Sequence, residues 1–260
     1  MEPLFTVSNY LKYRIIGGTA HDVHSPFVFD LLNNVINDQA QFYCFGPIES
    51  LRSKLILDQR TIQVSDFGAE GTGKKVAKKI STIAKNSLQE KKYAQLIFRL
   101  VNFSNAKYII ELGTSLGITS LYISNAAKKS HLITMEGCPE IAGIAKENFE
   151  KMKVKNIELV IGNFDENLAK TLASLEQVDL VYFDGNHRKK ATLDYFNLCL
   201  TKKTNDSIFI FDDIYWSREM KAAWDEIIRN ENVTVSIDLF KLGIVFFRSG
   251  IPKQHFRLKF

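Results

Sequence analysis

Within Lys107 to Ser120, KYIIELGTSLGITS, the residue types and spacing suit the binding of a small ligand. Strand-forming Tyr108, Ile109 and Ile110 run into Glu111 and a turn in which Gly113 and Gly117 lie four apart. Thr114 and Ser115 are available to cap the helix that follows. A strand, a small-residue turn and a helix N-terminus together hold a nucleotide-like ligand at the C-terminal edge of a sheet. The Glu111 carboxylate, which can only accept hydrogen bonds, would face that ligand. Acids and polar turns recur at the ends of later apolar runs, as Glu136-Gly137, Gly162-Asn163-Phe164, Asp184-Gly185-Asn186-His187 and Asp212-Asp213. Glu136 stands twenty-five residues past Glu111, where a carboxylate can accept both hydroxyls of a ribose; the plainer alternative is a solvated strand end. Asn163 and Phe164 offer an amide and an aromatic face to an adenine, although a Phe in this place also suits a core.

Those ends share one edge only if the strands run parallel, and the chain alternates accordingly. KYIIELG, HLITMEG, IELVIGN, VDLVYFDGN and SIFIFDDI read as strands, each separated from the next by a helical stretch. VTVSIDLF and LGIVFFRS then flank Lys241 with no room for a helix, so an antiparallel hairpin joins them. The fold class is α/β, a doubly wound sheet of seven strands ending in a reversed hairpin. Residues 91–260 form this domain, entered through the amphipathic helix KKYAQLIFRLVNFS, and residues 1–90 are a mainly helical extension. In that extension LFTVSNYLKYRI and PFVFDLLNNVIND carry helical spacing, with Pro26 placed to start the second helix. TIQVS reads as a short strand, and KKVAKKISTIAKNS as a basic helix after a glycine-rich turn.

Composition narrows the function. With 260 residues, 45 % of them hydrophobic, and 19 Phe and 9 Tyr, the chain can bury one large core, or a core plus a smaller appended domain. A net charge of +5 is scattered and reads as solvated surface, which disfavours a nucleic-acid partner. Cys44, Cys138 and Cys199 have no CxxC spacing, as expected in a reducing compartment. No run reaches the roughly eighteen apolar residues of a membrane span, and the expected location is cytoplasmic. Gly68 to Lys74 spells G-x-x-x-x-G-K, but Lys75 stands where a phosphate-binding loop needs Ser or Thr. His21 and His24 lie three apart with no third ligand evident, which suits a hydrogen-bonded loop better than a metal.

The order E-x-G-x-x-x-G, an acid at the next strand end, then G-N, D-G-N-H and F-D-D before a reversed hairpin resembles the class I S-adenosylmethionine-dependent methyltransferases over about residues 90 to 250. It is similar in particular to small-molecule O-methyltransferases, including the metal-dependent, catechol-type group. HDVHSPFVFD and VSDFG resemble a bacterial branch of that superfamily found in Bacteroidetes. NAD-binding domains favour G-x-G-x-x-G, whereas position 115 here is Ser, and they lack the closing hairpin.

The resemblance implies a Rossmann-like fold and S-adenosyl-L-methionine as cofactor. It places Gly113, Thr114, Ser115 and Gly117 at the methionine part of the cofactor, with Glu111 near the amino group. It puts Glu136 and Gly137 at the ribose, Gly162, Asn163 and Phe164 around the adenine, and Asp184 beside the sulfonium. In the catechol-type group, positions matching Asp184, Asp212 and Asp213 hold a divalent cation such as Mg2+. That group has Lys where this chain has His187, which makes His187 the implied general base. Asp213 replaces an Asn. The acid pair could instead cap the helix near Trp216 and Ser217, and His187 could merely orient Asp184. Tyr215 and Trp216 could wall an acceptor pocket or simply pack. The function expected is O-methylation of a small hydroxylated acceptor assisted by a divalent metal, with room for a homodimer. The alternatives are a metal-independent methyltransferase on another acceptor, and a non-catalytic cofactor-binding scaffold. The D/N-P-P-Y/F motif of amino-methylating nucleic-acid enzymes is replaced here by DGNH.

Overall fold

The computed structural model describes residues 3–19, 22–65 and 75–260, so His21 and the G-x-x-x-x-G-K stretch from Gly68 to Lys74 lie outside the described residues. Helix α1 (Pro3–Ile16) is followed by α2 (Pro26–Leu31), which has Pro26 in its first turn and runs on as a π-helical turn over Leu32–Ile36. Proline suits this position because a first-turn N–H has no partner within the helix. After α3 (Phe45–Leu57) come the antiparallel pair β1 (Thr61–Ser65) and β2 (Lys75–Lys79), then α4 (Ile80–Ser87). The basic segment expected to be all helix therefore has a strand of five residues ahead of its helix. Lys75–Lys79 is exposed throughout and has no apolar stripe to bury, so its backbone pairs with β1. The helix begins only where Ile80, Ile83 and Ala84 repeat on one buried face.

Next come α5 (Lys91–Ser104), β3 (Tyr108–Leu112), α6 (Ile118–Ala126), β4 (His131–Glu136), α7 (Pro139–Lys151) and β5 (Ile157–Ile161). The alternation continues through α8 (Phe164–Ser174), β6 (Val178–Phe183), α9 (Lys189–Leu200), β7 (Lys203–Phe211) and α10 (Arg218–Arg229). The chain closes with β8 (Val235–Asp238), β9 (Gly243–Phe246) and β10 (Gln254–Arg257). The large sheet has the order β10-β8-β9-β7-β6-β3-β4-β5. β9 is antiparallel to both neighbours, and the remaining pairs are parallel. The α/β class and the reversed hairpin are as expected, and the sheet has eight strands rather than seven. The eighth is β10, a short segment with mostly half-buried side chains that pairs with β8 at the sheet edge.

Alternate residues of each strand enter opposite cores. Ile109, Leu180, Tyr182, Ile208 and Ile210 pack with Val28, Leu31 and Ile36 of the N-terminal stretch and with Leu96 and Leu100 of α5. Ile110, Leu112, Val181, Phe183, Phe209 and Phe211 pack with Phe196 of α9 and Trp224 of α10. Both faces being covered, polar chemistry is confined to the strand ends. Among the described residues no helix is long and apolar enough to cross a membrane.

Candidate active site

The glycine turn after β3 is shaped first by backbone packing. Gly113 adopts φ +106°, and a Cβ there would lie 2.1 Å from the Asp184 carbonyl oxygen, so the chain ends of β3 and β6 touch only without a side chain. Gly117 adopts φ +81° as the N-cap of α6, and a Cβ would press on the Phe149 ring at 2.5 Å. Neither Thr114 nor Ser115 caps that helix. Thr114 Oγ1 lies 2.6 Å from Thr134 Oγ1, and the Ser115 N–H donates to Glu136 Oε2 at 2.9 Å.

The acids at the first two strand ends are held differently. Glu111 is fully buried, and its Oε2 accepts from Ser120 Oγ and, at 2.6 Å, from Thr134 Oγ1. Burial pushes its carboxyl up to about 7 against those two hydrogen bonds, and Oε1 has no partner within the chain. Glu136 holds the Ser115 N–H on one oxygen and the Cys138 N–H on the other at 3.0 Å. Burial raises its pKa while these backbone donors oppose the rise.

A cavity of about 520 Å³ opens over the C-terminal strand edge. Its lining includes Gly113, Ser115, Glu136, Gly137, Gly162, Asn163 and Phe164 together with Asp184, His187, Asp212, Asp213, Trp216 and Lys241. Most of the expected site residues therefore meet in one space; Glu111, Thr114 and Gly117 stand outside its lining. Asn163 also caps α8, its Oδ1 accepting from the Asp165 N–H at 3.1 Å. Phe164 meets Tyr195 edge-on, with ring centroids 6.1 Å apart. A Cβ at Gly185 would lie 2.6 Å from the Phe164 ring, so that glycine lets the aromatic face line the cavity.

Tyr182 donates to Asp184 Oδ2 at 3.0 Å and accepts from Gln89 Nε2 at 2.9 Å. Burial first, and then the nearby Asp212 and Asp213 carboxylates, hold the Asp184 pKa well above the carboxylate range. Asp212 is raised chiefly by burial, with Lys241 opposing, and its Oδ1 has no partner within the chain. Asp213 sits at φ +54°, and burial and Asp212 push it up to about 6 against His187 and Lys241. His187 Nε2 lies 3.9 Å from Asp184 Oδ1, beyond hydrogen-bond reach, with its ring 5.8 Å from Trp216. Burial lowers the His187 pKa, and Lys241 lowers it further against Asp213, so the imidazole is neutral at pH 7. The acid pair does not cap α10, because Ser217 does so through the Met220 N–H at 3.1 Å. Trp216 lines the cavity, whereas Tyr215 is buried and donates to Asp238 at 2.7 Å.

Sequence reasoning missed Gln89, Tyr182, Tyr195 and Lys241, together with the wall supplied by Val64, Ser65, Lys78 and Ile83 of the extension. A polar Gln between two helices and a Lys at a hairpin tip were the available signals. The chain suits S-adenosylmethionine at the glycine turn: the anchored Glu136 carboxylate lines the cavity there, and Ser115 Oγ, in the same lining, is buried without a partner. The fit to a divalent metal is poor. Among the described residues no group of three or more His, Cys, Asp or Glu side chains is arranged to hold one, and a lysine already stands with the acids.

Residues 110–214 match a family model described as a methyltransferase domain. No curated protein sequence matches the chain. Among solved structures, the chain is similar to an O-methyltransferase from Bacillus cereus in complex with S-adenosylhomocysteine, with 15 % identity and a TM-score of 0.56 over 88 % of this chain and 97 % of that one. It is similar to a Staphylococcus aureus protein provisionally assigned as a caffeoyl-CoA O-methyltransferase, with 16 % identity and a TM-score of 0.59 over 85 % and 97 %. A third likeness is to the O-methyltransferase TomG from Streptomyces achromogenes in complex with S-adenosylmethionine, with 15 % identity and a TM-score of 0.55 over 63 % and 83 %. At these identities the likeness is one of fold. The matched segment, residues 110–214, runs from β3 to the acid pair after β7 and covers about two fifths of the chain.

Proposed function

We propose that the chain is an S-adenosylmethionine-dependent O-methyltransferase of a small hydroxylated molecule. The observation that carries this reading is one cavity joining the glycine-turn residues to a neutral imidazole ringed by acids. When bound, S-adenosylmethionine supplies a sulfonium methyl that is already electrophilic. The chain's task is then to align an acceptor oxygen and remove its proton. Glu136, pinned by two backbone N–H groups, accepts from the ribose hydroxyls with its remaining lone pairs. Phe164 gives the adenine an apolar face. Asp184, fixed by Tyr182, has its carbonyl packed against Gly113 and so stands beside the glycine turn. His187, held neutral, has a free ring nitrogen to take the acceptor's hydroxyl proton as the oxygen–methyl bond forms and the carbon–sulfur bond breaks. Trp216 beside it offers a flat wall to the acceptor. No step is routed through a metal.

Titration calorimetry with S-adenosylmethionine and S-adenosylhomocysteine tests the reading. The wild-type chain is expected to bind both, and Glu136→Ala to bind at least about tenfold more weakly, ~1.4 kcal/mol or more. Absence of binding to the wild-type chain overturns the proposal. Binding without methyl transfer to any of a panel of catechols, phenols and alcohols would favour the scaffold alternative.

A further inference from the structure

Lys241 stands at the tip of the β8–β9 hairpin, and three backbone constraints set its position. The Phe240 N–H donates to Asp238 Oδ1 at 2.9 Å, with Phe240 at φ +67°. The Lys241 N–H donates to the Leu239 carbonyl at 2.9 Å. The Lys241 carbonyl accepts from the N–H of Ile214, the residue after Asp213, at 3.3 Å. The hairpin tip is thereby tied to the acid pair. The lysine lines the same cavity as Asp184, Asp212 and Asp213, and among the described residues its one close ion pair is to the exposed Glu90 at 3.6 Å.

We propose that Lys241 is the resident cation of the acceptor end, supplying within the chain the positive charge that a divalent metal supplies in catechol-type enzymes. The proposal rests on the methyltransferase reading for its role and on the hairpin geometry for its position. Three acidic side chains lining one desolvated space can ionise together only where a cation accompanies them. Burial alone would lower the Lys241 pKa, but Asp212, Asp213, Glu90 and Asp184 outweigh it and hold the ammonium protonated. A fixed ammonium can also hold an acceptor oxygen as its proton leaves for His187, because an alkoxide or phenoxide developing there meets a positive charge without a metal.

The test uses the full chain and needs no acceptor. Mg2+ is titrated calorimetrically into wild type, Lys241→Met and Lys241→Arg, and S-adenosylhomocysteine is then titrated into each. Wild type and Lys241→Arg are expected to take up no Mg2+ at millimolar concentration. Lys241→Met, with the acids uncompensated, is expected to gain Mg2+ affinity by at least about tenfold, equivalent to ~1.4 kcal/mol. S-adenosylhomocysteine should bind all three alike, since its expected contacts at Gly113, Glu136 and Phe164 do not include Lys241. Stoichiometric Mg2+ binding by wild type, or a Lys241→Met variant as silent as wild type, overturns the proposal. If none of the three binds S-adenosylhomocysteine, the methyltransferase reading fails, while the Mg2+ comparison still decides what Lys241 does.

Discussion

Glu111 and Glu136 look alike in the sequence, each an acid closing a strand. Glu111 falls within β3, where Ser120 and Thr134 enclose it; Glu136 is the last residue of β4, where the N–H of Cys138 in the next turn and that of Ser115 after β3 reach it. The consequence for Glu111 is a pH-dependent stability. Its folded-state pKa of about 7 lies above the ordinary 4.5, so the folded chain keeps a proton that the unfolded chain releases. The contribution is complete below pH 4.5 and is lost as pH rises through about 7, at a cost of roughly 3 kcal/mol. Thermal unfolding of Glu111→Gln should therefore show a shallower fall between these pH values than wild type. Asp184, Asp212 and Asp213 add slope of the same sign to both proteins, so the difference isolates Glu111, and identical slopes would refute the assignment.

At the scale of elements, the acceptor end is shaped by the loop between β7 and α10 and by the hairpin laid beside it. β9 enters between β7 and β8, which brings the Lys241 turn against the Asp212-Asp213 turn. Ser217 then stops the loop and starts α10, with Trp216 left facing the cavity. Ser217→Ala removes the cap acceptor and should cost about 1 kcal/mol in urea denaturation, with Ser217→Asp retaining most of the stability. Equal stability of the alanine variant would mean that the cap is dispensable. The strand ends and the helix–strand alternation were legible because apolar runs bounded by Gly, Asp and Asn carry a local signal. The strand β2 was not, since Lys75–Lys79 has no period of its own and only its pairing with β1 makes it extended.

At the scale of the whole molecule, the two ends of the described chain meet. Tyr13 of α1 donates to the Leu258 carbonyl and accepts from the Phe260 N–H at 3.1 Å, and Gly18 forms a parallel bridge with Leu258. Tyr10 packs on Phe240 with ring centroids 5.0 Å apart, so α1 also rests against the turn that carries Lys241. Tyr13→Phe leaves a buried carbonyl and an N–H without that hydroxyl. It should lower the unfolding free energy by about 1–2 kcal/mol in chemical denaturation, and an unchanged midpoint would show that the tie carries no stability.

What the residues determined by themselves is the class of fold and the identity of the strand-end groups. Strand and helix periods are local, and the turn after each parallel strand must lie at one sheet edge. Tertiary structure alone decided which of those groups face a common cavity. Gly113 and Gly117 proved to be needed by the Asp184 carbonyl and the Phe149 ring, contacts between segments far apart in the chain. Glu111 was drawn behind the wall by Ser120 and Thr134. Lys241, in sequence only a residue between two strands, was carried to the acids by strand order, a long-range property that no local pattern encodes.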